Sequence, residues 1–114
     1  MILFCKGVNI FDYDTDQARE ILKNCENIRI IDHVLENWFE RGTDFNYIVE
    51  CIKLKVPLAI IKTMENRFKL IYPHNKKTKH DLYIIIQITD NKDVEVVTSY
   101  PFPEARRLRE REIR

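Results

Sequence analysis

The hydrophobic period of this sequence changes at Pro57, and this change limits the possible folds more than any other feature of the chain. Before Pro57, apolar residues recur at intervals of three and four positions, which is the period of an amphipathic helix. After Pro57, apolar residues alternate with polar ones or form short runs, as is typical of β-strands. We therefore expect an α+β domain, with two or three N-terminal helices packed on an antiparallel sheet of three or four strands.

Three helices are predicted before Pro57. The first begins at a cap provided by Asp14 or Thr15, and its apolar stripe consists of Ala18, Ile21, Leu22 and Cys25. The second covers about residues 32–41. The third follows a cap at Thr43 or Asp44, and its stripe consists of Phe45, Ile48, Val49 and Ile52. Because Gly42 leaves only a short connection, we expect the second and third helices to form a helical hairpin.

The strands predicted after Pro57 cover residues 58–62, 67–72, 82–89 and 94–100, with Pro101 and Pro103 ending the last one. Segment 2–4 is a further candidate strand. In segment 67–72 the alternation predicts Phe68, Leu70 and Tyr72 on one face of the sheet and Arg67, Lys69 and Ile71 on the other. In segment 94–100 the same counting places Thr98 and Tyr100 on the face of Val94 and Val96, where packing alone can explain them.

Length and composition favour a single domain over residues 1–103, followed by a basic tail over 104–114. The apolar runs are far shorter than the roughly 20 residues that span a bilayer, so we expect no membrane partner. The three cysteines form no Cys-x-x-Cys pair, and we expect neither a metal site nor a cofactor. The N-terminal residues lack the features of a secretory leader, which favours a cytoplasmic location.

The net charge of +1 hides an asymmetry between two segments. From Asp12 to Glu50 there are ten acidic and four basic side chains, whereas from Lys53 to Lys79 there are eight basic side chains and one acidic. A basic segment joined to an acidic one suggests a polyanionic ligand on one face. The alternative is that folding disperses these charges over a solvated surface.

Two groups of residues are candidates for chemistry on such a ligand. His33 and Arg41 frame the second predicted helix, and imidazole titrates near neutral pH while guanidinium binds phosphate in a fork. In the strands, the candidates are Arg67 and Lys69 for the phosphate and Thr98 and Tyr100 as hydrogen-bond donors. The polar loop between the second and third strands adds a basic cluster made of Lys76, Lys77 and Lys79. Each of these residues also has a purely structural explanation on a solvated helix, strand or loop.

The order of these elements resembles the superfamily of small RelE-like and BrnT-like ribonuclease toxins. The resemblance covers about residues 31–100 and consists of His33, Arg41-Gly42, the helix around Ile48 and Thr98-Ser99-Tyr100. It is strongest to a group of small uncharacterised domains in that superfamily. Many of those relatives carry a second basic residue where this chain has Asn37.

The resemblance implies a metal-independent endoribonuclease of toxin type, with RNA and a small antitoxin protein as partners. Such cleavage needs a base for the 2′-hydroxyl, cations for the phosphorane and an acid for the leaving 5′-oxygen. The expected catalytic residues are His33, Arg41, Arg67, Thr98 and Tyr100, and the expected RNA-binding residues are Lys69, Lys76, Lys77 and Lys79. The alternative is a non-catalytic module on the same fold that binds nucleic acid or another protein.

Overall fold

The structure of the protein is a computed structural model that describes residues 12–31 and 45–106. In chain order its elements are α1 (Thr15–Asn24), β1 (Ile28–Ile30), α2 (Phe45–Leu54), β2 (Ala59–Met64), β3 (Arg67–Pro73), β4 (His80–Ile88), β5 (Val94–Pro103) and a 3₁₀ turn (Glu104–Arg106). The α+β class is therefore confirmed. The predicted helix over 32–41, its hairpin with α2 and the candidate strand over 2–4 lie outside the described residues.

The five strands form one mixed sheet in the order β1-β5-β4-β3-β2. Strands β2 to β5 are an antiparallel meander, as predicted, but β1 pairs with β5 in parallel, from Ile28 beside Val94 to Ile30 beside Val96. The expectation of three or four antiparallel strands is therefore wrong. Strand β1 has only three residues, too few for a recognisable alternation, and its partner lies far along the chain.

The helices are also arranged differently from the prediction, since β1 lies between α1 and α2 instead of after all the helices. The two described helices contact each other. Their buried side chains pack on one face of the sheet, in a cluster with Phe68, Leu70 and Ile84. We call this the proximal face and the opposite one the distal face.

Helix α1 begins at a capping box. The Asp14 carboxylate accepts a hydrogen bond from the backbone N–H of Gln17 at 2.8 Å, and the Gln17 side chain accepts one from the backbone N–H of Asp14 at 2.9 Å. These bonds satisfy two donors that a helix start would otherwise leave open. The predicted cap and the buried stripe of Ala18, Ile21 and Leu22 are both confirmed.

The buried stripe of α2 is turned slightly from the predicted one. Its buried residues are Tyr47, Ile48, Cys51 and Ile52, whereas Phe45 and Val49 are only half-buried. The Tyr47 hydroxyl donates a 2.6 Å hydrogen bond to the carbonyl of Pro73 at the end of β3, which anchors this side of the helix on the sheet. Burial of Ile48 and Ile52 is confirmed.

Strand β5 departs from the predicted strand in two ways. It continues through Pro101 to Pro103, which pairs with His80, instead of ending before the prolines. Proline is tolerated there because β1 pairs only with Val94–Val96, so no described strand needs the outer N–H groups further along β5. In addition, Ile86 pairs with Val96 but Ile85 pairs with Thr98, which leaves Val97 as a bulge.

No helix within residues 12–31 and 45–106 is long and apolar enough to cross a membrane.

Candidate nucleic-acid interface

The distal face carries rows of side chains that run across the strands, set by the pairing register. One row consists of Ala59, Ile71, Tyr83 and Tyr100, and the next of Ile61, Lys69, Ile85 and Thr98. A third row consists of Arg67, Gln87, Glu95 and Arg29. Arg67, Lys69, Thr98 and Tyr100, predicted separately from the sequence, thus lie on one face.

The bulge at Val97 brings Thr98 and Tyr100 to this face. A bulge inserts one residue, so every side chain beyond it changes sides. Val94 and Val96 lie in the proximal core, whereas Tyr100 packs against the distal cluster around Tyr83. The expectation that Thr98 and Tyr100 share the face of the two valines is therefore wrong. Adjacent strands are about 4.8 Å apart, so Lys69 and Thr98, two strands apart, are separated by about 10 Å.

Three aromatic rings form a cluster on the distal face. The ring of Tyr83 lies with its centroid 5.5 Å from that of Tyr100 and 4.6 Å from that of Phe102, both in tilted arrangements. Tyr83 is fully buried, while Tyr100 and Phe102 are half-buried. Tyr83 therefore supports the cluster from beneath, and the other two rings keep part of their surface accessible.

Cationic groups lie over two of these rings. The Lys69 ammonium is 5.3 Å from the centroid of Tyr83, and the Arg106 guanidinium is 5.4 Å from that of Phe102. Both distances are within the range of cation–π attraction. The distal face thus combines positive charge with aromatic surface, and Tyr83, Phe102 and Arg106 are residues that the sequence interpretation did not include. Tyr83 was hidden in an apolar run predicted to be buried on both faces.

Arg67 is oriented by a neighbouring amide. Its Nε donates a 3.0 Å hydrogen bond to Oε1 of Gln87 on β4, and Nε2 of Gln87 donates a 3.4 Å bond to the carbonyl of Glu65. No acidic side chain among the described residues forms an ion pair with Arg67. On the same row, Glu95 is engaged by an ion pair with Arg29. Its negative charge is therefore offset next to the Arg67 site.

The basic loop between β3 and β4 is ordered by His74. Nδ1 of His74 accepts hydrogen bonds from the backbone N–H groups of Lys76 and Lys77, each at 3.0 Å. A ring nitrogen that accepts two hydrogen bonds carries no proton. Burial, followed by the positive Lys77, His80 and Lys76, lowers the pKa of His74. Neutral His74 thus holds a turn whose exposed side chains include Lys76, Lys77 and Lys79.

The loop lies at the end of the sheet that carries Phe102. His74 N–H donates to the carbonyl of His80 at 3.1 Å, and Glu104 N–H donates to the carbonyl of Lys79 at 3.0 Å. The second bond places the loop beside the 3₁₀ turn that carries Arg106. The loop lysines and the aromatic cluster are therefore neighbours at one end of the distal face.

The basic segment 53–79 does not form one surface. Lys62 extends from β2 toward the start of α1, where it donates a 2.7 Å hydrogen bond to Asp12 and lies 5.2 Å from the proximal ring of Phe68. Lys53 and Lys55 lie at the end of α2. Because successive strand residues point to opposite faces, only Arg67 and Lys69 reach the distal face. The expectation of a single polyanion-binding face over the whole segment is therefore too broad.

His33 and Arg41 lie outside the described residues, so their roles stay predictions. In residues 12–31 and 45–106, no cluster of His, Cys, Asp and Glu side chains has a geometry that can hold a metal ion. Comparison of the chain with protein-family models, curated proteins and solved structures finds no match.

Proposed function

We propose that this protein binds single-stranded RNA on its distal face. The observation that carries the proposal is the position of Arg67 and Lys69 on the same face as the half-buried rings of Tyr100 and Phe102. Proteins that bind single-stranded nucleic acid combine a positive groove along the backbone with rings on which bases stack.

The phosphates are held by Arg67 and Lys69 in this proposal. The bond from Arg67 Nε to Gln87 leaves the two terminal amines directed away from that amide, and a guanidinium held in one plane binds phosphate oxygens as a fork. Lys69, two residues along β3, adds a second cation. Lys76, Lys77 and Lys79 extend the positive path beyond the end of β3, about 20 Å from Arg67 at the rise of an extended strand.

The bases stack on Tyr100 and Phe102. Both rings rest on Tyr83, and their orientation is therefore fixed before a ligand arrives. A preformed platform loses little conformational entropy on binding. Thr98, one row from Tyr100, is placed to donate a hydrogen bond to a phosphate or a 2′-hydroxyl.

Titration of fluorescently labelled single-stranded RNA tests this proposal. For wild-type protein we expect an affinity that falls steeply with salt, because each phosphate bound by a cation releases counterions. The Arg67→Gln/Lys69→Gln variant should bind about tenfold more weakly and lower the salt slope by about two, one for each cation replaced. Lys23→Gln on α1 is the matched control and should bind like wild type. Equal slopes for wild type and the double variant would refute binding at this face.

RNA cleavage is the second candidate function, favoured by the proximity of Arg67 and Lys69 to the hydroxyl groups of Thr98 and Tyr100 on adjacent rows. A base takes the proton of the 2′-hydroxyl, the 2′-oxygen attacks phosphorus, and the bond to the 5′-oxygen breaks as an acid protonates that oxygen. Arg67 stabilises the phosphorane, and we assign the acid or base role to His33 with Arg41 as a second cation. The products carry a 2′,3′-cyclic phosphate and a 5′-hydroxyl.

A cleavage assay with end-labelled RNA in the presence of a chelator tests this step. We expect His33→Ala to lower the rate by about 10²–10⁴-fold, as the loss of a general acid or base does. Arg41→Ala and Tyr100→Phe should also lower it, and Lys23→Gln should not. If wild-type protein binds RNA and leaves it intact, the non-catalytic alternative replaces the nuclease. A small antitoxin partner, implied by the RelE-like resemblance, belongs only to the nuclease proposal.

A further inference from the structure

A groove of about 270 Å³ lies between α1 and the segment that follows α2. Its apolar lining consists of Leu22, Ile52, Leu54, Val56 and Pro57. The volume is many times the roughly 30 Å³ share of a water molecule, so the groove can accept a side chain.

Two of the lining side chains are almost completely exposed. Leu54 is 80% exposed and Val56 is 78% exposed. Single exposed apolar residues are ordinary on a protein surface. Here, however, both border the same concave apolar surface, and an apolar concavity with a polar rim is typical of an interaction site.

The rim of the groove is positively charged. It carries Arg19, Lys23, Lys53 and Lys55, and no acidic residue of the described chain lines it. Lys23 and Lys55 form only loose ion pairs with Glu20 and Glu50, at 3.6 and 3.8 Å, on side chains that are largely exposed. Such pairs contribute little and are easily exchanged for others. Within the described residues, Arg19 and Lys53 form no ion pair.

We propose that this groove docks an acidic segment of a partner protein, with one large aliphatic side chain of that segment inserted between Leu54 and Val56. The positive rim selects the negative charge, and the aliphatic floor selects the anchor. The described lining contains no aromatic ring, so it offers no stacking surface for a nucleic-acid base. The groove is therefore a different kind of site from the distal face.

Selection from a displayed library of short random peptides tests the proposal. Wild-type protein is the target, and Val56→Asp is used for counter-selection. We expect the enriched peptides to be acidic and to contain at least one Leu, Ile or Phe. Enrichment of basic or purely polar peptides, or no enrichment over the counter-selected variant, would overturn the proposal.

An enriched peptide, synthesised with a fluorescent label, then measures the site directly. Leu54→Asp and Val56→Asp should each weaken its binding by about tenfold, as removal of an interface anchor does. Met64→Asp is the matched control, because Met64 is also exposed, at 57%, but lies at the opposite end of β2. It should bind the peptide like wild type.

Equal weakening in all three variants, or in none, contradicts docking at the groove. Thermal melting must show all three folded, which is expected because the replaced side chains are exposed. Labelled RNA distinguishes this proposal from that for the distal face: RNA binding should be unchanged by Val56→Asp. Loss of RNA binding with peptide binding unchanged would reassign the groove to nucleic acid.

Discussion

The two faces of the sheet are built from the same strands and differ sharply in what they present. On the proximal face, β3 and β4 contribute only apolar or aromatic side chains, all fully or almost fully buried under α1 and α2. On the distal face, the same two strands contribute Arg67, Lys69 and Gln87 beside Tyr83 and Ile85. Folding accounts for the first pattern. It does not account for two cations and a ring cluster on the second.

This difference teaches that the sequence of a strand carries two separate constraints, one on each face. Ile84 and Ile85 are adjacent and chemically identical, yet Ile84 is fully buried in the proximal core and Ile85 is half-buried in the row of Lys69. Substitutions on the proximal face should therefore change stability, and those on the distal face should change binding.

The largest expected effect is on stability. Ile84→Ala removes a fully buried side chain from the proximal core and should lower the free energy of unfolding by about 2–5 kcal/mol. Ile85→Ala should cost clearly less, because part of that side chain is already exposed. Denaturant unfolding of both variants measures the difference. Similar costs would mean that the two faces are equally involved in folding, and the comparison would fail.

The next effect is on RNA binding. Tyr100→Ala removes one stacking surface from the distal face and should weaken binding of single-stranded RNA by about 1–3 kcal/mol, the usual contribution of a stacked base. Tyr47→Phe is the control, since its ring lies on the proximal side and its hydroxyl bonds only to Pro73 in the described structure. A loss of affinity in the control alone would place RNA on the wrong side of the sheet.

A smaller effect concerns Tyr72, the polar exception on the proximal face. Its hydroxyl is buried and has no hydrogen-bond partner among the described residues. A buried polar group without a partner keeps its desolvation cost. Tyr72→Phe should therefore raise the free energy of unfolding by about 1 kcal/mol. A decrease after this substitution would show that the hydroxyl contributes to folding and that the proximal face is not a purely apolar surface.

The smallest effect is the pH dependence of the basic loop. The lowered pKa of His74 means that the unfolded chain takes up a proton near pH 6.5, where the folded chain does not yet do so. Stability is therefore full above about pH 6.5 and decreases as the pH falls toward the pKa of the folded state. His74→Asn keeps an acceptor for the two backbone N–H groups and removes the titration. Wild type should lose stability relative to this variant on acidification, and parallel pH profiles would contradict the turn geometry.

How much was predictable depends on how local each feature is. The capping box of α1, the stripe with Ile48 and the alternation of β3 follow from neighbouring residues, and the structure confirms them. Strand β1 depends on a parallel partner more than sixty residues away. The bulge at Val97 depends on pairing between β4 and β5, which no alternation within β5 reveals.

The candidate site shows the same limit. Arg67 and Lys69 were correctly predicted to share one face because β3 alternates regularly. The prediction for Thr98 and Tyr100 chose the wrong face because the bulge reverses their direction. Tyr83 was not recognised, since an uninterrupted apolar run gives no indication of which residue faces a ligand.

Ultraviolet crosslinking of bound single-stranded RNA, followed by mass spectrometry of the attached peptides, tests the central claim most directly. A base stacked on an aromatic ring is held in contact with it, so the account predicts crosslinks at Tyr100 or Phe102, which disappear when Arg67 and Lys69 are both replaced by glutamine. Crosslinks confined to residues of α1 and α2, with none on β5, would contradict it.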